Sequence, residues 1–170
     1  MFSSTAESPS GGKFDAAVVT VSDSCARGER DDLSGPAVVQ ALVKAGFKVV
    51  AKEVVSDDSM RIQNSLILLA GKVRLIVTTG GTGIALRDVT PEATQAVCER
   101  LLEGVAERMR CEGTKKTPFA ALSRAVCGVR GGTLILNLPG SPAGAVESLE
   151  SVLGLIPHAL ELLAGNTEHV

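Results

Sequence analysis

The chain has 170 residues, with 17 Lys and Arg set against 19 Asp and Glu, for a formal net charge of −2 at pH 7. With four Phe and neither Trp nor Tyr, it lacks both the basic surface and the aromatic stacking platforms through which proteins bind nucleic acids, so no nucleic-acid partner is expected. No apolar run reaches the roughly 18 residues of a membrane span, and we therefore expect a cytoplasmic protein with no membrane partner.

The first third of the chain predicts two strands with a helix between them. Residues 14–21 form a short Val-rich run typical of a buried strand. From Pro36 the apolar residues recur at helical spacing until Gly46, which can end the helix, and residues 47–55 return to a strand-like composition. The preceding residues 1–13 are rich in Ser, Gly and Pro and contain no long apolar run, so they indicate a disordered tail rather than a signal peptide.

The middle of the chain predicts a helix, a strand and a second helix. Residues 57–59, Asp-Asp-Ser, can cap a helix that Gly71 ends, and residues 74–79 form the third strand. Thr90-Pro91-Glu92 combines a capping side chain, a proline suited to the first helical turn and an acidic residue favoured there. We expect the helix that begins at this point to extend to Leu102.

The last third predicts further helices around one more strand. A helical stretch covers residues 105–112, another helix is expected between residues 115 and 129, and residues 133–138 form the last strand. Ser141-Pro142 opens a final helix. Pro157 should bend or divide that helix, because a proline ring clashes with the preceding turn.

Strands that alternate with helices predict β-α-β units, and hence an α/β fold of three layers: a mostly parallel open sheet flanked by helices on both faces. One domain of residues 14–165 is expected, followed by a short C-terminal tail of residues 166–170. Ligands of such sheets bind outside the carboxyl ends of the strands. This rule selects four loops, namely residues 22–35, 56–59, 80–88 and 139–142.

Glycine is concentrated in the third of these loops, residues 80–88, which we call the glycine loop. The sequence IVTTGGTG at residues 76–83 leads from the third strand into this loop. Glycine lets consecutive N–H groups turn toward an anion and removes the Cβ that would block the anion's approach. The segment matches neither the P-loop nor the dinucleotide fingerprint. Taken alone, it fits a plain loop as well as it fits a phosphate site.

Aspartates lie beside this loop and at the end of the second strand. Asp88 follows the glycines closely, so its charge would repel a phosphate unless a Mg²⁺ ion lay between them; alternatively, it only supports the N-terminus of the next helix. Asp57 and Asp58 present the same choice, since one can cap a helix while the other faces the crevice. Two carboxylates from neighbouring strand ends would suit metal-assisted nucleotidyl transfer, although spacing alone does not show that they meet.

The other two loops offer hydrogen-bond donors rather than a catalyst. Cys25 lies in the first loop, but neither histidine, His158 or His169, is in a candidate loop where it could activate a thiol. The cysteines have no C-x-x-C pairing and indicate free thiols in a reducing compartment. In the fourth loop, Ser141 can cap the last helix and still leave N–H groups free for an anion.

Together the loops resemble those of a known family. The segments TVSDS, DLSGP, TTGGTG followed by RDVTPEA, LSRAV-GV and LNLPGSP occur in the order found in the molybdopterin adenylyltransferases of molybdenum cofactor biosynthesis. The resemblance extends from about Phe14 to about Leu163. It implies an α/β protein, usually a homotrimer, that uses Mg²⁺ and ATP to attach AMP to the terminal phosphate of molybdopterin with release of pyrophosphate.

The resemblance also implies which residues form the site. The two important acidic positions, expected to be catalytic and to hold the metal, fall on Asp57 and Asp88, with Asp58 as the alternative to Asp57. The nucleotide and substrate phosphates are expected to contact the glycine loop and the loops beside it. These positions are Ser22, Asp23, Gly80, Gly81, Thr82, Gly83, Pro139, Gly140 and Ser141.

Two interpretations of the activity stay open. The RDVTPEA segment resembles the adenylyltransferase branch more than the molybdenum-insertion branch of the same fold. The alternative is a molybdopterin-binding homologue without adenylyltransferase activity, which would act as a carrier or an assembly module. In either case, transient contact with other enzymes of molybdenum cofactor synthesis is expected.

Overall fold

A six-stranded sheet lies at the centre of the molecule in the computed structural model, which describes residues 13–167. The strands are β1 (Asp15–Val21), β2 (Lys48–Val55), β3 (Leu75–Thr79), β4 (Arg100–Leu101), β5 (Cys127–Arg130) and β6 (Thr133–Leu138). Their order in the sheet is β2-β1-β3-β6-β5-β4. The first four strands in this order are parallel, whereas β5 pairs antiparallel with both β6 and β4. The predicted α/β fold with a mostly parallel sheet is confirmed.

Helices cover both faces of the sheet. They are α1 (Asp23–Ala26), α2 (Ser34–Lys44), α3 (Ser59–Ala70), α4 (Thr90–Val97), α5 (Glu103–Thr114), α6 (Pro142–Val152) and α7 (Ile156–Leu163), with a 3-10 helix at Pro118–Leu122. Within the described part of the chain, every helix is too short or too polar to span a bilayer. The tails expected at residues 1–13 and 166–170 fall mostly outside the described residues and stay predictions.

Two hydrophobic cores form, one on each face of the sheet, because successive strand residues point to opposite sides. On one face, Val18 of β1 packs in a cluster with Leu42 of α2 and Leu149 of α6. On the other face, the next residue, Val19, packs in a cluster with Ile62 of α3. Every residue of β3 and of β6 is buried, as expected for strands that are covered on both sides.

The helix expected over residues 90–102 is shorter than predicted. It ends at Val97, and the chain beyond it joins the sheet. Glu99 donates its N–H to Val129 O of β5 at 2.9 Å. Hydrogen bonding to a neighbouring strand therefore replaces the last turn of the expected helix.

The region between residues 115 and 129 also differs from the prediction. The expected helix is only the short 3-10 helix, and β5, which follows it, was not predicted. A Cβ on Gly128 of β5 would lie 2.5 Å from Cys98 Sγ, so this strand needs a glycine where β-propensity would favour a larger residue. The final helix is divided into α6 and α7, as expected, with Pro157 in the first turn of α7.

A buried side chain, that of Asn137 on β6, connects several of these elements. Its Nδ2 donates to the hydroxyls of Thr78 and Thr94, each at 3.0 Å. Its Oδ1 accepts the N–H of Val126 at 3.2 Å. Since Asn137 is fully buried, these bonds fix the segment before β5 against β6, β3 and α4.

Asn137→Leu should lower the free energy of unfolding by about 3 kcal/mol or more, because each buried polar group that loses its partner costs about 1–3 kcal/mol. Chemical denaturation measures this loss. Asn64→Leu, on an exposed position of α3, is the matched control and should change the value by less than about 0.5 kcal/mol. Equal changes for the two variants would contradict the importance of the network.

Candidate functional site

The carboxyl ends of four parallel strands meet at one edge of the sheet. Val21, the last residue of β1, is in register with Val55, the last residue of β2. Thr79 of β3 is likewise in register with Leu138 of β6, and β1 and β3 are neighbours. The four loops selected from the sequence therefore leave the sheet side by side.

The glycine loop turns at two residues with left-handed backbone. Gly80 has a φ of 100° and Gly81 a φ of 69°, a region that residues with a Cβ rarely adopt. A Cβ on Gly80 would lie 2.3 Å from Val21 O, and one on Gly81 would lie 2.3 Å from Thr90 Oγ1. The N–H of Gly80 is used within the fold, since it donates to Leu138 O at 3.1 Å. Glycine is thus required here by conformation and by space.

Thr90, the first residue of α4, orients the amides of this turn. Its Oγ1 donates to Gly80 O at 2.9 Å, and its N–H donates to Gly81 O at 3.1 Å. The carbonyl and the following N–H of a trans peptide point in opposite directions, so the N–H groups of Gly81 and Thr82 face away from Thr90. The N–H groups of residues 81–83 have no hydrogen-bond acceptor among the described residues, which leaves them available to an anion.

Asp57 is joined to Asp23 by two reciprocal hydrogen bonds. Asp23 N–H donates to Asp57 Oδ2 at 2.9 Å, and Asp57 N–H donates to Asp23 Oδ1 at 3.0 Å. Arg87 binds Asp23 Oδ2 through Nε at 2.9 Å and Nη2 at 2.7 Å. A Cβ on Gly81 would lie 3.2 Å from Asp57 Oδ1. The Asp57 carboxylate therefore lies beside the glycine turn and connects the loops that follow β1, β2 and β3.

Asp58 has a different position from that of Asp57. Its Oδ1 accepts the N–H of Arg61 at 2.9 Å and so caps α3, and the residue is exposed. Of the two adjacent aspartates, Asp58 is the helix cap and Asp57 is the one that faces the glycine loop.

Asp88 lies beside Gly83 in the same loop. Its Oδ2 accepts the N–H of Ala85 at 2.9 Å, and a Cβ on Gly83 would lie 2.8 Å from the same oxygen. The N-cap of α4 is Val89, and no side chain caps it. The Asp88 carboxylate therefore closes the loop rather than capping the helix.

Negative charge accumulates at this edge of the sheet. The pKa of Asp57 is raised, first because burial removes water from its carboxylate and then because of the negative charges on Asp23 and Asp88. The Asp23 N–H and Arg87 oppose this rise only in part. Hydrogen bonds from Arg87 lower the pKa of Asp23. The site thus contains carboxylates whose mutual repulsion a bound cation would relieve.

A cavity of about 670 Å³ opens beside the glycine loop. Its other walls come from α5, the 3-10 helix and α6, and they include the apolar side chains of Met109, Phe119 and Leu122. Most of the predicted site residues line it, namely Gly81, Thr82, Gly83, Asp88, Pro139, Gly140 and Ser141.

The remaining predicted residues hold the loops in place around this cavity. Ser22 Oγ accepts the N–H of Cys25 at 3.3 Å and caps α1. Gly80 forms the turn, while Asp23 and Asp57 adjoin the cavity through Gly81. Of the residues that line the cavity, Ser141 also has a structural role, because its Oγ caps α6.

Two arginines, Arg87 and Arg124, contact the site but received no role from the sequence. Arg124 donates from Nε to Gly83 O and from Nη2 to Asp88 O, each at 2.8 Å, and forms an ion pair with Glu92. Arg87 precedes Asp88 in RDVTPEA and Arg124 is the central residue of LSRAV. Their presence in these two segments was the only indication in the sequence that they belong to the site. Neither segment indicates which groups the two arginines bind.

Comparison with known proteins adds a family to this geometry. Residues 17–158 match the family described as "Probable molybdopterin binding domain". The molybdopterin adenylyltransferase of Helicobacter pylori (strain ATCC 700392 / 26695) is 42% identical over 153 residues, which cover 88% of this chain and 87% of that protein. The solved structure of the molybdopterin biosynthesis enzyme MoaB from Thermus thermophilus is 52% identical, with a TM-score of 0.85, and the match covers 89% of this chain and 97% of that one.

An open α/β sheet with a cavity and a glycine loop at its strand ends is the architecture of a small-molecule-binding domain. The match over most of its length makes the assignment specific. The chain belongs to the molybdopterin-binding family of molybdenum cofactor biosynthesis, as the resemblance predicted.

Asp57→Asn should make the metal-free protein more stable at pH 7, because it removes a carboxylate whose ionisation the folded state disfavours. A raised folded-state pKa means that the stabilising contribution of Asp57 is fully present below its unfolded pKa of about 4 and is lost as the pH rises through the folded pKa. The difference in Tm between variant and wild type should therefore be positive at pH 7 and vanish as the pH falls toward about 4.

Thermal unfolding in metal-free buffer at a series of pH values measures this difference. Asp58→Asn is the matched control, because Asn caps a helix as well as Asp does, and it should leave the Tm nearly unchanged. An Asp57→Asn variant that is less stable than wild type at pH 7 would contradict the electrostatic account.

Proposed function

We propose that the protein transfers AMP from ATP to the terminal phosphate of molybdopterin and releases pyrophosphate. The observation that carries this proposal is that the carboxylates of Asp57 and Asp88 lie beside Gly81 and Gly83, in a loop whose residues 81–83 have N–H groups available to an anion. The Helicobacter pylori relative named molybdopterin adenylyltransferase, at 42% identity, supports the choice of substrates.

The carboxylates fit a Mg²⁺ ion that arrives with a nucleotide. Asp57 Oδ2 and Asp88 Oδ2 each accept a backbone N–H, while the Oδ1 atom of each has no hydrogen-bond donor among the described residues. No group of three or more His, Cys, Asp or Glu side chains there forms a complete metal cage. Mg²⁺ suits such a site, because it typically binds one or two carboxylates together with substrate phosphates and water.

Asp57 and Asp88 are thus the residues that would hold Mg²⁺, and the ion would neutralise charge on the ATP phosphates. The protein itself positions the phosphates of the two substrates. The N–H groups of residues 81–83 donate to phosphate oxygens, which stabilises negative charge in a site partly shielded from water. No general base is needed, because the attacking phosphate is already ionised at neutral pH.

The cavity beside the loop suits a flat heteroaromatic group. Met109, Phe119 and Leu122 give it apolar walls, and apolar pockets with a few directed polar groups are typical of cofactor sites. A pterin ring in this cavity would bring its phosphate toward the glycine loop, where the nucleotide phosphates would also bind.

A second candidate is a molybdopterin-binding homologue without adenylyltransferase activity. The observation that favours it is the 52% identity to a protein named only as the molybdopterin biosynthesis enzyme MoaB. Pyrophosphate release in the presence of both ATP and molybdopterin separates the two candidates, because a carrier or assembly module would bind molybdopterin without releasing pyrophosphate.

We further propose a cytoplasmic homotrimer that contacts other enzymes of cofactor synthesis transiently, following the family resemblance. The exposed apolar side chains of Ile84 and Leu86 at the tip of the glycine loop are consistent with burial by another subunit. Sedimentation equilibrium should give about three times the chain mass of 17.5 kDa, and a mass of one chain would contradict the trimer.

Asp88→Asn should leave the fold intact, because an amide oxygen can still accept the Ala85 N–H. It should lower the rate of pyrophosphate release by at least about 100-fold and affect molybdopterin binding less, since it removes a charge that faces the nucleotide. The exposed cap variant Asp58→Asn serves as control and should stay active. Full activity of Asp88→Asn would overturn the role assigned to this carboxylate.

Magnesium dependence gives a companion test of the same site. Excess chelator should abolish pyrophosphate release, and added Mg²⁺ should restore it, because the carboxylates and the phosphates would otherwise repel one another. Turnover that persists unchanged in chelator would remove the metal from the mechanism.

A further inference from the structure

We propose that Arg124 is a positioning residue that orients the amides of the glycine loop without itself touching the substrate. The proposal rests on the adenylyltransfer proposed above and extends it to a residue outside the predicted site. Arg124 lines a different cavity, of about 520 Å³, so its action on the reaction would pass through the loop.

Arg124 binds the carbonyl side of the glycine loop. Its backbone N–H donates to Thr82 O at 2.9 Å, and its Nε donates to Gly83 O at 2.8 Å. The N–H that follows each carbonyl in a trans peptide points the opposite way, and the described residues contain no cis peptide bond. The N–H groups of Gly83 and Ile84 therefore face away from Arg124.

Thr90 and Arg124 bind different carbonyls of the glycine loop. Thr90 holds the carbonyls of Gly80 and Gly81, and Arg124 holds the next two. The N–H groups of Gly81 and Thr82 therefore face away from Thr90, and those of Gly83 and Ile84 face away from Arg124. Without Arg124, the Gly83 peptide would lose this restraint, and its glycine could rotate at little steric cost.

Each of the three guanidinium nitrogens of Arg124 has a partner within the protein. Its Nη2 donates to Asp88 O at 2.8 Å, so that one side chain bridges Gly83 and Asp88, and its third nitrogen forms the ion pair with Glu92. A planar fork can reach these partners at once, whereas the single ammonium of Lys cannot. Arg124 thus fixes the distance between the backbone carbonyls of Gly83 and Asp88.

Arg124 is itself held by residues that pack against the cavity wall. Arg110 of α5 donates from Nη1 to Ala125 O at 3.0 Å, and Asn137 of β6 accepts the N–H of Val126 at 3.2 Å. The residues next to Arg124 are thereby attached to two elements of the fixed scaffold. Through its bonds to Gly83 and Asp88, Arg124 attaches the glycine loop to that scaffold.

Arg124→Ala should lower kcat for pyrophosphate release about 10- to 100-fold, the usual effect of removing a group that orients a site from outside it. The KM for molybdopterin should stay near the wild-type value, because the apolar cavity walls are untouched. Amide hydrogen exchange over residues 83–88 should become faster in the same variant. Arg124→Lys should behave similarly, and it carries the test if the Ala variant does not fold.

Arg74→Ala is the matched control. Arg74 also joins two carbonyls through its guanidinium, donating from Nε to Gly132 O at 2.9 Å and from Nη2 to Leu160 O at 3.3 Å. It precedes β3 and so lies at the opposite end of that strand from the glycine loop. Its loss should lower stability comparably but leave kcat and the exchange of residues 83–88 unchanged.

Wild-type kcat in Arg124→Ala and Arg124→Lys, or an equal loss of kcat in Arg74→Ala, would overturn the proposal. If the wild-type protein itself releases no pyrophosphate, the adenylyltransfer proposal fails separately. The affinity for ATP with Mg²⁺, measured by calorimetry, then decides on Arg124. A loss of affinity in Arg124→Ala but not in Arg74→Ala supports the positioning role, and equal affinities in the two variants contradict it.

Discussion

The glycine turn depends on a space that no side chain can enter. At Gly80 a Cβ would meet Val21 O at 2.3 Å, and at Gly81 it would meet the Thr90 hydroxyl at the same distance. This close approach lets the chain leave β3 beside the end of β1 before it continues through residues 82–89 to α4. The carbonyls of the turn then bind Thr90, so the amides face the other way. The orientation of the N–H groups of Gly81 and Thr82 follows from that turn.

The same turn places N–H groups that attract an anion next to the carboxylates of Asp57 and Asp88, which repel one. The pKa of Asp57 is raised first by burial and then by the negative charges of Asp23 and Asp88. A phosphate alone would meet the carboxylates, and a metal ion alone would find too few protein ligands among the described residues. A phosphate that carries a divalent cation satisfies both groups. A nucleotide polyphosphate with its metal ion has this character, and we therefore propose ATP as the ligand of the loop.

Alternating strands and helices made the fold and the four loops predictable, because parallel strands must bring their carboxyl ends to one edge. The choice between Asp57 and Asp58 was not predictable, since both follow the same strand and either can cap a helix; the bonds to Asp23 decide it. The strand β5 was missed because its four residues include Gly128 and carry too little pattern. The contacts of Arg124 were not predictable, because its main partners are backbone carbonyls of a loop distant in sequence, and no side-chain pattern indicates such a contact.

The most direct test of the central claim is a crystal structure of the protein with Mg²⁺ and a non-hydrolysable ATP analogue. We expect phosphate oxygens within hydrogen-bonding distance of the N–H groups of residues 81–83. We also expect a metal ion bound to those phosphates and to the carboxylates of Asp57 and Asp88. Phosphates bound elsewhere, with neither carboxylate near the metal ion, would contradict the central claim.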